Sequence, residues 1–340
     1  TSIQSTTIES VYINGCSFKN ILFKTASSRP SPLDKKIVSG LWYQDVLSIL
    51  GDCSVICSNN YVDGVVGPTA AQAVGGNDEV HGLAVAMGAN VNSSVIMTGN
   101  VVKNVAGHLT LLISDEGIVG RGSSVIMTDN ILYDAGAGEG MLYAKGTNYH
   151  KIADNIVEAS ATNPKLAAMR GIISTGPNCD VVNNKLIGTP IGIITRAANG
   201  NYFENEFYDV ANFCFTMRLE DGETHRSTVI SNNFAENDCR TFFLDETSDA
   251  TTATYGDLIF QNNTVFVTGG FIAVKSATSL TIQGNVINRV NPDGTREVIS
   301  FRADKTVDLV NIRDNHFLHF EDGSSTGRVA TILPDAGTGL

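Results

Sequence analysis

Two pairs of adjacent acidic residues are the residues of this sequence whose types and spacing best suit acid–base chemistry. Glu220 and Asp221 stand in the segment RLEDGETHR, and Asp245 and Glu246 stand in FLDETSD. Two carboxyl groups hydrolyse a glycosidic bond when they lie about 5–5.5 Å apart for retention, or about 6.5–9.5 Å apart for inversion. The sequence therefore predicts an acid–base centre, provided that the fold brings the two pairs together.

Basic and aromatic side chains near these acids could hold a sugar. Arg196, Arg218 and His225 could bind hydroxyl or acidic groups, and Tyr255 could stack on a sugar ring. Further aromatic candidates are Trp42, Tyr133, Tyr143, Tyr202 and Tyr208. The alternative interpretation is that the acids are solvated, or form a structural salt-bridge ladder with Arg196, Arg218 and Lys275. The same cations could instead serve a lyase by neutralising a uronate and removing a proton, although the sequence holds no lyase motif.

Other polar segments give weaker signals. The loop Asn77-Asp78-Glu79-Val80-His81 joins two acids to one histidine, and Asp115 with Glu116 could line a distal subsite. No second ligand run lies near that histidine, so no metal is predicted, and no motif indicates a cofactor. The six cysteines lack metal spacing and are interpreted as small apolar core residues.

Composition limits the classes of partner. The net charge is −12, the isoelectric point is near 4.9, and the sequence has no basic stripe. These properties argue against nucleic acid as a binding partner. No apolar run approaches the ~20 residues of a membrane helix, so no membrane insertion is expected. Thr1 opens directly into a strand pattern without a leader, which suggests a fragment or a processed product.

A repeated pattern specifies the elements that must position the acids. SSVIMTGNVV at 93–102 returns as SSVIMTDNIL at 123–132, and the same order of apolar strand, polar residue, asparagine and apolar residue recurs along the chain. The recurring asparagines are Asn60, Asn100, Asn130, Asn155, Asn184, Asn205, Asn233, Asn263, Asn285 and Asn315, with Cys16 in that place in an earlier coil. Short strands in coils of this length stack in parallel about 4.8 Å apart, so the asparagines should form a hydrogen-bonded ladder. Asparagine also tolerates the left-handed backbone that a bend needs.

The sequence therefore predicts an all-β chain, a single-stranded right-handed parallel β-helix over residues 1–321, with a partial coil and tail at 322–340. A second strand precedes each ladder strand, and the residues that follow these second strands should form one outward column. Its members would be Asp115, Lys145, Thr175, Arg196, Arg218, Asp245, Lys275 and Arg302. The long turn loops 218–228 and 245–257 would then face each other on adjacent coils and bring the two acid pairs together.

The asparagine ladder, the variable turn loops, the acidic balance and the lack of capping helices resemble the β-helical domains of bacteriophage tailspikes. They are also similar to the wider pectate-lyase-like group. The tailspike resemblance implies a homotrimer at the virion tail that binds bacterial surface polysaccharide, O-antigen or capsule, and often cleaves it with paired carboxylates. An asparagine ladder marks the fold and not the reaction. A docking adhesin without chemistry and a secreted, monomeric lyase or epimerase therefore stay open.

Overall fold

The protein is a right-handed parallel β-helix, as the sequence predicts. The fold comes from a computed structural model, which divides into two compact units, unit 1 (Thr1–Cys179) and unit 2 (Asp180–Leu340). The described residues are 2–4, 10–22, 44–51, 54–66, 80–87, 94–105, 109–115, 124–135, 140–145, 149–163, 166, 169–176, 178–196, 199–219, 226–247, 254–290, 298–301, 307–318 and 330–331. The predicted tail boundary at 321/322 lies outside them.

The described strands of unit 1 precede β17 (Asn178–Val182), which crosses the division between the units. They are β1 (Ser2–Gln4), β2 (Ser10–Asn14), β3 (Ser17–Leu22), β4 (Gln44–Gly51), β5 (Ser54–Ser58), β6 (Tyr61–Val66), β7 (Val80–Met87), β8 (Ser94–Thr98), β9 (Val101–Val105), β10 (Leu109–Asp115), β11 (Ser124–Thr128), β12 (Ile131–Ala135), β13 (Gly140–Lys145), β14 (Tyr149–Ala153), β15 (Ile156–Glu158) and β16 (Arg170–Thr175).

The described strands of unit 2 include two long ones that each run through two sides of a coil. They are β18 (Lys185–Ile187), β19 (Ile191–Thr195), β20 (Asn199–Phe203), β21 (Glu206–Tyr208), β22 (Phe213–Met217), β23 (Ser227–Ser231), β24 (Phe234–Asp245), β25 (Tyr255–Gln261), β26 (Thr264–Val274), β27 (Ala277–Gln283), β28 (Val286–Arg289), β29 (Ile299–Phe301), β30 (Val307–Arg313), β31 (His316–Leu318) and β32 (Ala330–Thr331).

Each coil has three sides, and like sides of successive coils pair in parallel. In unit 1 the first side is the stack β2, β5, β8, β11 and β14, and the second is β3, β6, β9, β12 and β15. The third side of unit 1 is the stack β1, β4, β7, β10, β13 and β16. In unit 2 the first side is formed by β20, β23, β25, β27 and β30. The second side of unit 2 is formed by β18, β21, β24, β26, β28 and β31, and the third by β19, β22, β24, β26, β29 and β32.

The predicted asparagine ladder is confirmed within each unit. In unit 1 the amides of Asn60, Asn100, Asn130 and Asn155 are joined by side-chain hydrogen bonds of 2.9 Å. In unit 2 bonds of 2.9–3.0 Å join Asn184, Asn205, Asn233, Asn263, Asn285 and Asn315. Cys16 holds the predicted place, because its backbone N–H donates to Asn60 Oδ1 at 3.0 Å.

Each ladder amide has partners on both of its polar atoms, which is why it can be buried. Asn130 is an example: its oxygen accepts from the backbone and side-chain N–H groups of Asn100. Its nitrogen donates to Asn155 and to the carbonyl of Met97. An unpaired buried amide would cost about 1–3 kcal/mol for each polar group, so the repeat specifies its own register.

The left-handed bend belongs to the residue before each ladder asparagine, and not to the asparagine itself as the sequence suggests. Asparagine, aspartate or glycine fills most of these positions because these types tolerate positive φ. Their φ values run from 52° to 69°, at Gly15, Asn59, Gly99, Asp129, Asp154, Asn183, Glu204, Asn232, Asn262, Gly284 and Asp314.

Alternating side chains fill the core. On β5, β8 and β11 every second residue is buried, which stacks Val55, Val95 and Val125 in one inner column. The cysteine interpretation is confirmed for the buried thiols of Cys57, Cys179, Cys214 and Cys239. Burial raises the pKa of Cys57 to about 12, so its thiol stays neutral.

The core of unit 2 is aromatic. Ring centroids of Phe207 and Phe215 lie 5.0 Å apart, those of Phe215 and Phe242 5.2 Å apart, and those of Phe242 and Phe271 5.4 Å apart. Such contacts add roughly 0.5–1.5 kcal/mol each beyond the burial of area. Phe207 points inward from β21, so its neighbours Glu206 and Tyr208 point outward.

Candidate functional site

The register of the third side places Asp245 differently from the prediction. Asp245 pairs with Met217, and Met217 pairs with Thr195. The outward column of unit 2 is therefore Arg196, Arg218 and Glu246, and the prediction that Asp245 belongs to it is wrong by one residue. The physical reason is that Asp245 is the last residue of the strand and not the first of the turn. A one-residue offset turns a side chain to the other face.

The Asp245 carboxylate is consequently buried, with 2% of its surface exposed. Its two oxygens accept backbone N–H bonds of 2.9 Å from Thr247 and Lys275. Thr247 Oγ1 accepts the N–H of Leu219 at 3.0 Å, and Lys275 Nζ donates to the carbonyl of Thr247. These bonds tie the ends of β22, β24 and β26 together, and the catalytic role of Asp245 stays a prediction.

The other residues predicted for this centre divide into three groups. Glu246, Arg218 and Arg196 are exposed. Tyr255 is buried with 1% exposed, and burial followed by the nearby Asp245 charge raises its pKa, so it is placed inside the coil. Glu220, Asp221 and His225 lie outside the described residues, as do Trp42, Glu116 and Arg302.

In unit 1 the same column is confirmed in part. Lys145 pairs with Thr175, as predicted. Ser114, and not Asp115, pairs with Lys145, so Asp115 lies one residue after the column position, whereas Asp245 lies one residue before it. The reason is the pairing of Leu111 with Leu142.

A second group of side chains lies on the outer face of the second side of unit 2. We call it the Tyr208 patch, and its members are Lys185, Glu206, Tyr208, Phe234, Glu236 and Phe266. The ring centroids of Tyr208 and Phe234 are 5.9 Å apart, and those of Phe234 and Phe266 are 6.2 Å apart. These three half-buried rings descend from β21 through β24 to β26, so they cross neighbouring coils. Rings that are half-buried on an outward sheet face leave part of their apolar surface open to a ligand.

Two carboxylates flank the Tyr208 ring. Tyr208 pairs with Glu236 across the coils, and Glu206 pairs with Phe234. The Tyr208 hydroxyl donates to Glu206 Oε2 at 3.0 Å, and Lys185 Nζ lies 4.7 Å from the centre of the Tyr208 ring. Partial burial raises the pKa of Tyr208 first, and the hydrogen bond and charge of Glu206 and the charge of Glu236 raise it further. The phenol therefore remains a hydrogen-bond donor at neutral pH.

Unit 1 has a related group, which we call the Tyr61 cluster: Lys19, Tyr61, Asp63, Lys103 and Asn104. Lys19 Nζ lies 5.0 Å from the centre of the Tyr61 ring. Asp63 accepts from the Tyr61 hydroxyl and from Asn104 Nδ2, both at 2.8 Å. Those hydrogen bonds, and then the charges of Lys103 and Lys19, lower the pKa of Asp63.

The sequence predicts that Tyr208 could stack on a sugar, but it does not single out the other residues of the Tyr208 patch. The signal for them was the ladder itself, because residues one and three places after each ladder asparagine point outward in unit 2. Aligning coils on Asn205, Asn233 and Asn263 places Glu206 and Tyr208, Phe234 and Glu236, and Thr264 and Phe266 in rows. Of the remaining tyrosine candidates, Tyr202 is fully buried, whereas Tyr133 and Tyr143 are half-buried.

Metal and membrane features can be stated for the described ranges only. Among these residues no group of three or more His, Cys, Asp and Glu side chains could hold a metal ion. Residues 77–79 of the Asn77–His81 loop are not among them. The described part of the chain also has no helix of the length and apolarity that crossing a membrane requires.

No protein-family model and no curated protein matches the chain. Among solved structures, it is similar to the crystal structure of the GH136 lacto-N-biosidase from Eubacterium ramulus, a selenomethionine derivative. The TM-score is 0.49 and the sequence identity is 15%, over 90% of this chain. The chain covers 56% of the length of that structure. A likeness at this level carries no functional inference to this chain.

Proposed function

We propose that this protein is a tailspike-like receptor-binding β-helix that binds a bacterial surface polysaccharide and cleaves it. The Tyr208 patch is the observation that carries the binding proposal. Its rings offer apolar faces to sugars, and its carboxylates accept hydrogen bonds from hydroxyl groups. The patch extends over strands of successive coils, as a polymer extends over successive sugars.

The dimensions of the patch favour an oligosaccharide over a single sugar. From β18, which carries Lys185, to β26, which carries Phe266, there are three coil spacings, or about 14 Å. A regular sheet holds side chains on a rigid scaffold, so a ligand binds without first ordering a loop. Both properties suit an extended ligand laid across the coils.

Binding is tested with purified capsule and O-antigen polysaccharides immobilised on a sensor. The wild type should bind at least one of them, and Phe234→Ala should weaken that binding about tenfold or more, as removal of a central aromatic anchor does. Tyr61→Ala is the matched control, because it removes a tyrosine with a similar lysine and carboxylate from unit 1. Equal losses in the two variants, or no binding at all, would count against the proposal.

For cleavage we propose glycoside hydrolysis at the turn that follows β22 and β24. Glu246 supports this because it is exposed in the same column as Arg218 and Arg196. It would act with Glu220 or Asp221: one carboxyl group protonates the glycosidic oxygen while the other takes a proton from the attacking water, or attacks directly. Asp245 would hold this turn in place through the hydrogen bonds that it accepts from the backbone N–H groups of Thr247 and Lys275.

Release of reducing ends from the bound polysaccharide tests this reaction. Glu246→Gln should lower the rate by orders of magnitude, since a neutral amide can neither donate nor accept that proton. Glu158→Gln in unit 1 is the matched control and should keep the wild-type rate. Wild-type turnover by Glu246→Gln would move the centre elsewhere.

Two alternatives predict different products and assembly. A docking adhesin binds the polysaccharide and releases nothing, whereas a lyase releases an unsaturated uronate that absorbs ultraviolet light. We also propose a homotrimer, on the resemblance to tailspikes. Light scattering at micromolar concentration tests it, and a stable monomer would favour the secreted lyase or epimerase.

A further inference from the structure

We infer that the Tyr208 patch binds a glycan segment with a positive charge, an amino sugar with a free ammonium group, and rejects uronates. This inference rests on the proposed function and specifies the ligand of the same site. It comes from the balance of charge around the three rings and from what each charged side chain is bonded to.

Carboxylates outnumber cations at the patch. Glu206, Glu236 and the exposed Asp209 lie on or beside the outward face of β21 and β24, against the single ammonium of Lys185. Lys185 pairs with Glu206 in register, yet its ammonium lies over the Tyr208 ring. Glu206 receives one hydrogen bond, from Tyr208. Within the described part of the chain, Glu236 has no hydrogen-bond partner.

The patch already contains a cation–π contact of the kind that the ammonium group of an amino sugar would make. The ammonium of Lys185 lies 4.7 Å from the Tyr208 ring centre, within the range of a cation–π contact. Phe234 offers a second ring 5.9 Å away, on the strand that carries Glu236 and paired with Glu206 of the neighbouring strand. A ligand ammonium beside these rings meets an aromatic face and two carboxylates, while its sugar ring packs against Phe234 and the next sugar reaches Phe266.

The carboxylates of the patch are available to a ligand, unlike that of the Tyr61 cluster. Asp63 already has two hydrogen bonds and two lysines in its surroundings, so its charge is compensated internally. Glu206 has one hydrogen bond, from Tyr208, and one lysine nearby, Lys185, and Glu236 has no hydrogen-bond partner among the described residues. A uronate would place a third carboxylate beside them, and like charges at that distance repel. The same geometry therefore selects for an ammonium and against a uronate.

The test compares two oligosaccharides that share one backbone and differ in charge, chitosan and chitin, with a third that carries the opposite charge. Chitosan oligosaccharides carry free ammonium groups, chitin oligosaccharides are their neutral N-acetyl forms, and oligogalacturonate carries carboxylates. At low salt, wild type should bind the chitosan form about three- to tenfold more tightly than the chitin form, as two exposed charge pairs allow. The preference should shrink as salt rises, and oligogalacturonate should bind most weakly.

Two double variants separate a local effect from the general acidity of the chain. Glu206→Gln with Glu236→Gln should abolish the preference for chitosan, because a neutral amide no longer attracts an ammonium group, so chitosan binding should weaken more than chitin binding. Asp129→Asn with Asp154→Asn makes the same change in net charge at exposed, left-handed positions of unit 1 that asparagine tolerates. That control should keep the preference.

The inference is overturned if wild type binds the chitin and chitosan forms equally, or if both double variants lose the preference alike. Tighter binding of oligogalacturonate would also overturn it. The proposed function fails in a different way, when no oligosaccharide or surface polysaccharide of any charge binds. Loss of all binding in Phe234→Ala, with the charge preference absent from wild type, would keep the function and discard the inference.

Discussion

The Tyr61 cluster of unit 1 and the Tyr208 patch of unit 2 are built from the same parts. Each has a lysine over a tyrosine ring and a tyrosine hydroxyl bonded to a carboxylate on its own strand. They differ in what surrounds that carboxylate. Asp63 is bonded by Asn104 and lies near two lysines, whereas Glu206 adjoins Glu236 and a row of phenylalanines.

That difference separates a structural ion cluster from a binding surface. A carboxylate whose bonds and charge are satisfied by its own coil helps to hold the coil and offers little to a ligand. A carboxylate with one partner, next to half-buried aromatic rings, keeps part of its capacity to accept hydrogen bonds from a ligand. The contrast also appears at the third side, where Asp245 is enclosed and Glu246 is exposed.

The largest expected effect comes from breaking the ladder beneath each group. Asn233→Ala removes the amide that precedes Phe234, and with it one hydrogen bond each from the amides of Asn205 and Asn263, from the Asn205 backbone N–H and from the carbonyl of Tyr202. We expect it to cost about 3 kcal/mol or more in the free energy of unfolding and to abolish glycan binding. Asn100→Ala removes the equivalent support before Lys103 and Asn104 at a similar cost.

Urea unfolding and glycan binding, measured on both variants, check this prediction. Asn100→Ala should keep binding wherever it stays folded, because it lies beneath the Tyr61 cluster. Binding lost alike in the two folded variants would break the assignment of function to the Tyr208 patch alone.

Low pH is expected to destabilise unit 1 through His150. Its ring is fully buried, Nδ1 lies 2.8 Å from Ser174 Oγ, and burial lowers its pKa from 6.5 to about 4. The unfolded chain takes up a proton as the pH falls below 6.5 while the folded chain does not. Stability should therefore fall between pH 6.5 and about 4, by at most about 3 kcal/mol, with no further loss from this group below that range.

Urea unfolding at several pH values in that window measures the slope. His150→Leu should remove this part of the slope, whatever it does to stability at neutral pH. A slope that persists unchanged in the variant would assign the acid sensitivity to other groups.

An intermediate effect is expected where a buried carboxylate is neutralised. Asp245→Asn puts an NH₂ group beside a backbone N–H that now donates to the carboxylate, so we expect a cost of about 1–3 kcal/mol. Glu246→Gln, one residue later and exposed, should change stability by less than about 0.5 kcal/mol. Thermal unfolding of the two variants compares them, and equal costs would contradict the register described above.

The smallest effect is expected at Asp63. Its lowered pKa means that the carboxyl stays ionised at lower pH than an ordinary aspartate, and its small contribution to stability is lost only as the pH falls through that lowered value. Asn104→Ala should raise this pKa by removing the first hydrogen bond, with less than about 0.5 kcal/mol of stability lost. Carbon NMR of the carboxyl group follows the titration. An unchanged pKa would show that Tyr61 and the lysines, and not Asn104, keep the Asp63 carboxyl ionised.

The ladder could be predicted from the sequence because each coil repeats the same residue at the same place, and parallel strands convert that repeat into contact. The position of Asp245 could not be predicted, because TFFL and TFFLD have equally good strand patterns. Only the pairing of Asp245 with Met217 shows that the strand includes Asp245. The Tyr208 patch is an intermediate case. Phe234 and Glu236 lie about one coil from Tyr208 in sequence, so their contact depends on register, but the ladder asparagines supply that register.

The left-handed residue before each ladder asparagine also makes the coil a module. Every coil has its own left-handed residue and ladder asparagine. An insertion or deletion within one coil therefore leaves the register of the next coil unchanged. Excising the stretch 101–130 would join Gly99-Asn100 to Ile131 and recreate the junction that Asp129-Asn130 makes with Ile131. The near-identical segments 93–102 and 123–132 look like such an event in reverse, one coil copied whole. A chain of this design can lengthen or shorten by a full coil in a single genetic step, and its surface for ligands grows or shrinks with it.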